Sequence, residues 1–146
     1  MPACCRSPSC STRGPDDAVA GSLVVDGPCG ADEVWDRYAR PSRWAEWAPQ
    51  IRGVTYQGEV IAPGAAGVVH GPVGVRVPFR IVAVDADGPV RRWAWEVRVL
   101  TMTLWLEHVV EARGTGVRTR LSVAGPAPVV AMYRPVAWAA LRRLVR

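Results

Sequence analysis

The spacing of apolar residues changes along this 146-residue chain, and this change constrains the fold more than any other feature. From residue 51 to residue 124, apolar and polar residues alternate, and Gly or Pro turns interrupt the alternation at short intervals. A half-buried strand has this period of two, and steady strand spacing with short turns is typical of an antiparallel meander. Residues 127–146 return to a helical period. The sequence therefore predicts a sheet with one apolar face and a final helix that covers it.

The predicted elements follow from the same pattern and from its Gly and Pro interruptions. Seven strands are expected, over residues 18–26, 51–57, 65–71, 75–85, 91–100, 102–112 and 116–124. Two short helices are expected between the first two strands, over residues 31–40 and 42–47, with Ser42 as the N-cap of the second. Pro135 should kink the last helix or mark its start.

Hairpin geometry predicts the register of the last three strands. A loop at residues 113–116 pairs His108 with Leu121, and a tight turn at residues 100–101 pairs Trp93 with His108. Both hairpins then place the same residues on one inner face, namely Trp93, Trp95, Val97, Met102, Leu104, Leu106, Val110, Val117, Leu121 and Val123. The facing stripe of the last helix consists of Val130, Tyr133, Ala137, Leu141 and Leu144.

The two apolar faces enclose the candidate site. Trp93 and Trp95 either fill the core or line a ligand cavity, and the rigidity of two adjacent indoles favours a cavity. The candidate ligand-binding residues are Trp93, Trp95, Leu104, Leu106, His108, Val117, Leu121, Tyr133 and Ala137. His108 has three interpretations: a core histidine satisfied by a backbone or Tyr partner, a polar ligand anchor, or a general acid–base group. Burial should lower its pKa and keep it neutral.

Charge and cysteine content exclude some classes of function. All 18 basic residues are Arg, and the excess charge lies at one end, where residues 134–146 carry four Arg and no acid. A nucleic-acid-binding protein would present a basic stripe, so we expect no nucleic-acid partner. The four cysteines have no CxxC spacing, which predicts reduced thiols and neither a metal site nor a cofactor. Residues 1–17 are expected to form a disordered leader, and residues 18–146 one cytoplasmic domain without a membrane span.

Three segments resemble the helix-grip superfamily called SRPBCC, which includes START domains, birch-pollen allergen proteins and the polyketide cyclase/dehydrase family. They are ADEVWDRYARPSRWAEWAPQI, the Pro-Gly turn from Ala62 to Gly67, and EHVVEARGTGVRTRL. The resemblance covers residues 22–133. It implies an α+β fold in which a curved antiparallel sheet of about seven strands grips a long C-terminal helix around an apolar cavity.

The resemblance implies a function only in outline. It favours binding of a small hydrophobic or aromatic ligand, such as a lipid, a quinone or a polyketide-like molecule, in the cavity. Two alternatives stay open. One is an enzyme of the polyketide cyclase/dehydratase type with His108 as acid–base, although His108 has no carboxylate, Ser or Cys partner on its face. The other is an interaction module that places the Arg-rich C-terminal helix on an anionic membrane or an acidic partner.

Overall fold

A computed structural model describes residues 18–146, so the predicted leader, residues 1–17, lies outside the described residues. The strands are β1 (Ala18–Gly27), β2 (Gly53–Tyr56), β3 (Ala66–His70), β4 (Arg76–Asp85), β5 (Val90–Val99), β6 (Met102–Arg113) and β7 (Gly116–Pro126). The helices are α1 (Ala31–Ala39), α2 (Trp44–Trp47) and α3 (Ala127–Leu144), with single 3₁₀ turns at Pro41–Arg43 and Pro72–Gly74. The predicted order of elements is confirmed, and their ends shift by at most a few residues.

The strands form one antiparallel sheet in the order β1-β7-β6-β5-β4-β3-β2. The predicted register is confirmed, because Trp93 pairs with His108 and His108 pairs with Leu121. The predicted inner face is buried, apart from Met102, which is half-buried. One extra residue, Val82, interrupts the pairing of β4 with β5. Such a bulge bends its strand and increases the local twist, which helps the sheet to curve.

Helix α3 packs across β1 and β7 and covers the apolar face of the sheet. The predicted stripe is confirmed, since Tyr133 is half-buried and the other four positions are buried: Val130, Ala137, Leu141 and Leu144. The helix begins at Ala127 and continues through Pro135, so Pro135 does not mark its start. Pro135 is exposed, and water can solvate the carbonyl that it leaves unpaired.

The C-terminal end of α3 is tied to the segment around α1. Arg37 Nη1 donates a hydrogen bond to the carbonyl oxygen of Leu144 at 2.6 Å. The backbone N–H of Cys29, a free thiol, donates to the carbonyl oxygen of Val145 at 3.0 Å. Gly27 permits this approach, because a Cβ there would overlap the carbonyl oxygen of Val145. These contacts fix the C-terminal end of α3 to α1 and to the end of β1.

The predicted start of the second short helix is wrong. Ser42 lies inside the 3₁₀ turn Pro41–Arg43 and caps nothing, and α2 begins only at Trp44. Pro41 occupies the first position of the turn, where its fixed φ suits a helical conformation. Ser42 is therefore already helical, whereas an N-cap residue needs an extended backbone.

Candidate functional site

An aromatic cluster fills the deep part of the space between sheet and helix. The imidazole of His108 stacks on Trp93 with ring centres 4.5 Å apart and planes within 9°. Trp44 of α2 stacks on Trp93, with ring centres 5.6 Å apart, and meets Trp95 edge to face at 5.1 Å. Phe79 packs against Trp44 at 5.3 Å. The short helix α2 thus adds a third indole to the two that come from the sheet.

His108 has both ring nitrogens engaged. Its Nε2 accepts a hydrogen bond from Trp95 Nε1 at 3.1 Å. Because an indole N–H only donates, Nε2 carries no proton, and the proton of the neutral ring lies on Nδ1. Nδ1 then donates to the hydroxyl of Tyr38, also at 3.1 Å. Burial lowers the pKa of His108 to about 3, since the charged form cannot be solvated there. The predicted neutral state is confirmed.

This arrangement decides among the interpretations of His108. The geometry is that of a core histidine with a Tyr partner, as one of the three interpretations expected. A ligand cannot take a hydrogen bond from a ring whose N–H and lone pair are both used. A general base needs a free lone pair and a pKa near the working pH, and His108 has neither. The geometry therefore does not favour the acid–base role.

Next to His108 lies an inner cavity of only about 20 Å³. Its wall consists of Trp44, Trp47, Gln50, Ile51, Trp93, Trp95, His108, Leu121, Tyr133, Ala137, Ala140 and Leu141. This volume is enough for about one water-sized group. Little free volume remains at this depth, because Trp93 and Trp95 lie 5.3 Å apart and Trp44 packs against both.

Two residues of this wall each have a buried polar atom with no hydrogen-bond partner among the described residues. The two atoms are Nε1 of Trp93, which can only donate, and Oε1 of Gln50, which can only accept. The Trp93 side chain is 1% exposed. An unpaired buried group typically costs about 1–3 kcal/mol, so two of them at one small cavity call for an explanation.

A larger outer pocket of about 190 Å³ lies beside the inner cavity. Most of its wall is aliphatic, from strands β3 to β6: Val69, Val77, Val97, Val99, Leu104 and Leu106. Four side chains line both spaces, so the two lie side by side: Gln50, Ile51, Trp95 and Tyr133. Burial raises the pKa of Tyr133 to about 12, which keeps its phenol neutral. Neither wall contains a charged side chain.

The structure places eight of the nine candidate residues on one of the two walls. Trp93, His108, Leu121 and Ala137 line only the inner cavity, Leu104 and Leu106 line only the outer pocket, and Trp95 and Tyr133 line both. Val117 lines neither, because it pairs with Gly27 and Ala112 toward the other end of β7.

Sequence reasoning missed part of the wall. Gln50 and Ile51 come from the turn after α2, and Val69 and Val77 come from β3 and β4. The period-two alternation of β3 and β4 could have suggested the two valines, but alternation alone does not fix the register of these strands with β5. Gln50 lies in a turn, where no periodic pattern of apolar and polar residues could have identified it.

Ion pairs connect α1 to the segment that leads into α2, and α2 supplies Trp44 and Trp47 to the inner wall. Arg43 bridges Glu33 and Asp36 of α1 at 2.9 and 2.6 Å, and Arg40 reaches Asp36 at 2.9 Å. Hydrogen bonds from Arg40 and Arg43 lower the pKa of the Asp36 carboxyl below its ordinary value. The network lies outside both cavities and fixes α1 relative to the turn before α2.

The rest of the described surface has no cluster of metal-binding side chains, and its open grooves lie away from the two cavities. Within residues 18–146, no three His, Cys, Asp or Glu side chains lie close enough together to hold a metal ion. Three open grooves of about 310, 300 and 360 Å³ lie elsewhere, and the first is lined by charged residues of the solvent face such as Arg80, Glu96 and Arg98. No helix in this part of the chain is both long enough and apolar enough to cross a membrane.

Solved structures share this fold at low sequence identity. A hypothetical protein of Helicobacter pylori, jhp0584, has a TM-score of 0.69 and 14% identity, with 99% of this chain and 95% of that one covered. Ara h 8.0201 has a TM-score of 0.68 and 13% identity, covering 87% and 95%. DynU16, a protein of the dynemicin biosynthetic locus, has a TM-score of 0.68 and 19% identity, covering 90% of this chain and 47% of that one. At such identities these structures show the fold alone.

Sequence comparison gives the family. No curated protein matches the chain. The profile of the family described as "Polyketide cyclase / dehydrase and lipid transport" matches residues 19–146, nearly all of the described part of the chain. Together with the seven-stranded sheet and the long C-terminal helix, this match confirms the resemblance to the SRPBCC superfamily. The chain belongs to the polyketide cyclase/dehydrase and lipid transport family, with a Bet v 1-like helix-grip fold.

Proposed function

We propose that this protein binds one small, uncharged apolar molecule in the outer pocket, without chemical change. The observation that carries the proposal is the pocket itself: about 190 Å³, aliphatic on most of its wall and free of charged side chains. Ligand sites are usually concave and mostly apolar, with a few polar groups that orient the ligand. The family description, which joins polyketide chemistry with lipid transport, supports a ligand of this general kind.

The size of the pocket limits the ligand. Typical sites for drug-sized molecules are about 300–1,000 Å³, so this pocket suits a smaller molecule or one end of a longer one. A charged headgroup would be costly inside, because no oppositely charged side chain is available to pair with it. The proposal therefore favours a compact aromatic or branched hydrocarbon body over a carboxylate or a phosphate.

The test is titration with the neutral fluorescent probe N-phenyl-1-naphthylamine. Val77 and Val82 both lie on β4, but Val77 lines the pocket, whereas Val82 is 42% exposed. Val77→Phe puts a ring into the pocket and should reduce probe affinity at least tenfold. Val82→Phe adds the same ring outside and should leave the affinity unchanged. Equal affinity for both variants, or no binding to the parent protein, would reject the proposal.

A second candidate function, contact with an anionic membrane, is supported by the outer side of α3. Arg134, Trp138 and Arg142 follow one another four residues apart and are exposed, so they form one row along the helix. The Arg142 guanidinium lies 4.7 Å from the ring centre of Trp138. Cationic and aromatic side chains in one exposed row suit the headgroup region of an anionic bilayer.

Sedimentation with phosphatidylserine vesicles tests this second candidate. The protein should bind at low salt and be released at high salt, because exposed charges are screened. Trp138→Ala should weaken binding, whereas Trp105→Ala on the outer face of the sheet should not. The two indoles are matched in exposure, at 47% and 48%. Absence of binding at low salt would reject the membrane contact.

A further inference from the structure

Trp93 and Gln50 line the same small cavity, and each has one buried hydrogen-bonding atom that is not used. Trp93 Nε1 is a buried donor and Gln50 Oε1 a buried acceptor, and neither has a partner among residues 18–146. Both residues line the inner cavity, and Gln50 also lines the outer pocket. Buried polar groups are almost always paired in folded proteins. A polar group in the cavity that both residues line could pair with them.

The size of the inner cavity limits what that group can be. About 20 Å³ holds one water-sized group and no more. A hydroxyl is of this size, and it both accepts and donates a hydrogen bond. It can accept from the indole N–H of Trp93 and donate to the amide oxygen of Gln50. A carbonyl oxygen could only accept a hydrogen bond from the indole N–H, and an ammonium group could only donate one to the amide oxygen.

The ring nitrogens of His108 do not compete for this group. Both ring nitrogens of His108 are already engaged, by Trp95 and Tyr38. Neither wall contains a charged side chain, so an anionic oxygen would be buried without a counter-charge. The inner cavity therefore favours a neutral hydroxyl.

We propose that the ligand is a neutral phenol or alcohol whose single hydroxyl enters the inner cavity between Trp93 Nε1 and Gln50 Oε1, while its hydrocarbon body occupies the outer pocket. This inference rests on the proposed function, because it uses the outer pocket as the binding site. It adds the chemical class of the ligand and names Gln50 as the residue that selects for it. Gln50 is a specificity residue here and takes part in no reaction.

The experiment compares four probes of one shape by calorimetric titration: 2-naphthol, naphthalene, 2-methoxynaphthalene and 2-naphthoate. 2-Naphthol should bind at least tenfold more tightly than naphthalene, since two hydrogen bonds each contribute severalfold. 2-Methoxynaphthalene has no proton for Gln50 and is too bulky for the inner cavity, so it should bind no better than naphthalene. 2-Naphthoate should bind most weakly.

Variants at the two glutamines of the chain identify the selecting residue. Gln50→Leu should abolish the preference between the two probes, so that 2-naphthol binds this variant no more tightly than naphthalene does. Gln57→Leu, at an exposed position, should retain the full preference. The four-probe comparison on the parent protein is decisive even if Gln50→Leu does not fold.

The outcomes separate this inference from the proposed function. If 2-naphthol and naphthalene bind equally, the polar pair holds only a water molecule, and the inference is overturned while the apolar pocket stands. If Gln50→Leu keeps the preference for 2-naphthol, the hydroxyl binds elsewhere and the inference is also overturned. If none of the neutral probes binds the parent protein, the proposed function fails, and the inference fails with it.

Discussion

Acidification should destabilise this protein mainly through His108. The ring is buried and neutral in the folded state, with a pKa of about 3, against an ordinary value of 6.5. Between these two values the unfolded chain binds a proton that the folded chain does not, so stability falls as the pH falls. Each pH unit below 6.5 costs about 1.4 kcal/mol. From pH 7 to pH 5 the free energy of unfolding should therefore fall by about 2 kcal/mol through this one residue.

The assay is urea unfolding, followed by tryptophan fluorescence, at intervals from pH 8 to pH 5. His108→Gln removes the titrating group, while the Gln amide can still accept from Trp95 and donate to Tyr38. This variant should be less stable at pH 7 but should lose almost no further stability down to pH 5. His70, the other histidine, is the control, because its ring bonds Thr55 outside the core. His70→Gln should show the same loss as the parent protein.

Three ion-paired carboxylates should not add to the loss of stability between pH 7 and pH 5. Asp26, Glu33 and Asp36 have pKa values lowered by hydrogen bonds from Arg118, Arg43 and Arg40, so their stabilising effect persists to more acidic pH. If His108→Gln loses as much stability between pH 7 and pH 5 as the parent protein does, the argument from the burial of His108 is refuted.

Two further predictions concern the contacts that hold the end of α3. Gly27→Ala should destabilise the protein by about 2 kcal/mol in urea unfolding, because the added Cβ overlaps Val145. Gly30→Ala is the control and should change stability little, because nothing lies within 4 Å of the added Cβ. Equal effects of the two changes would contradict the close approach of Gly27 to Val145. Arg37→Ala should lower the free energy of unfolding by about 1–2 kcal/mol, because the charged guanidinium of Arg37 donates a hydrogen bond to the Leu144 carbonyl. A change below about 0.3 kcal/mol would show that this hydrogen bond does not stabilise the fold.

The sheet and its apolar face could be predicted because the loop of a hairpin fixes which residues of its two strands pair. Once the turn before β7 is located, the pairing of His108 with Leu121 follows, and a period of two places Trp95 and Leu106 on the same face. The stripe on α3 follows in the same way from its helical period. These features depend only on residues that are close together in sequence.

The functional detail depends on contacts between distant segments, which periodicity does not report. The Tyr38 partner of His108 comes from α1, 70 residues earlier in the chain. The register of β4 includes one extra residue at Val82, so the alternation alone could not place Val77 on the pocket wall. The volume that remains near Trp93 depends on how Trp44 packs from α2, which only the three-dimensional structure determines.

The central claim, that the outer pocket holds a small neutral molecule, is tested most directly by native mass spectrometry of the protein purified from its own cells. We predict one bound small molecule per chain, which is absent from Val77→Phe and retained by Val82→Phe, because only the first ring occupies the pocket. Its mass should correspond to an apolar phenol or alcohol. A parent protein that carries no bound molecule, or an adduct that both variants keep, would contradict the account.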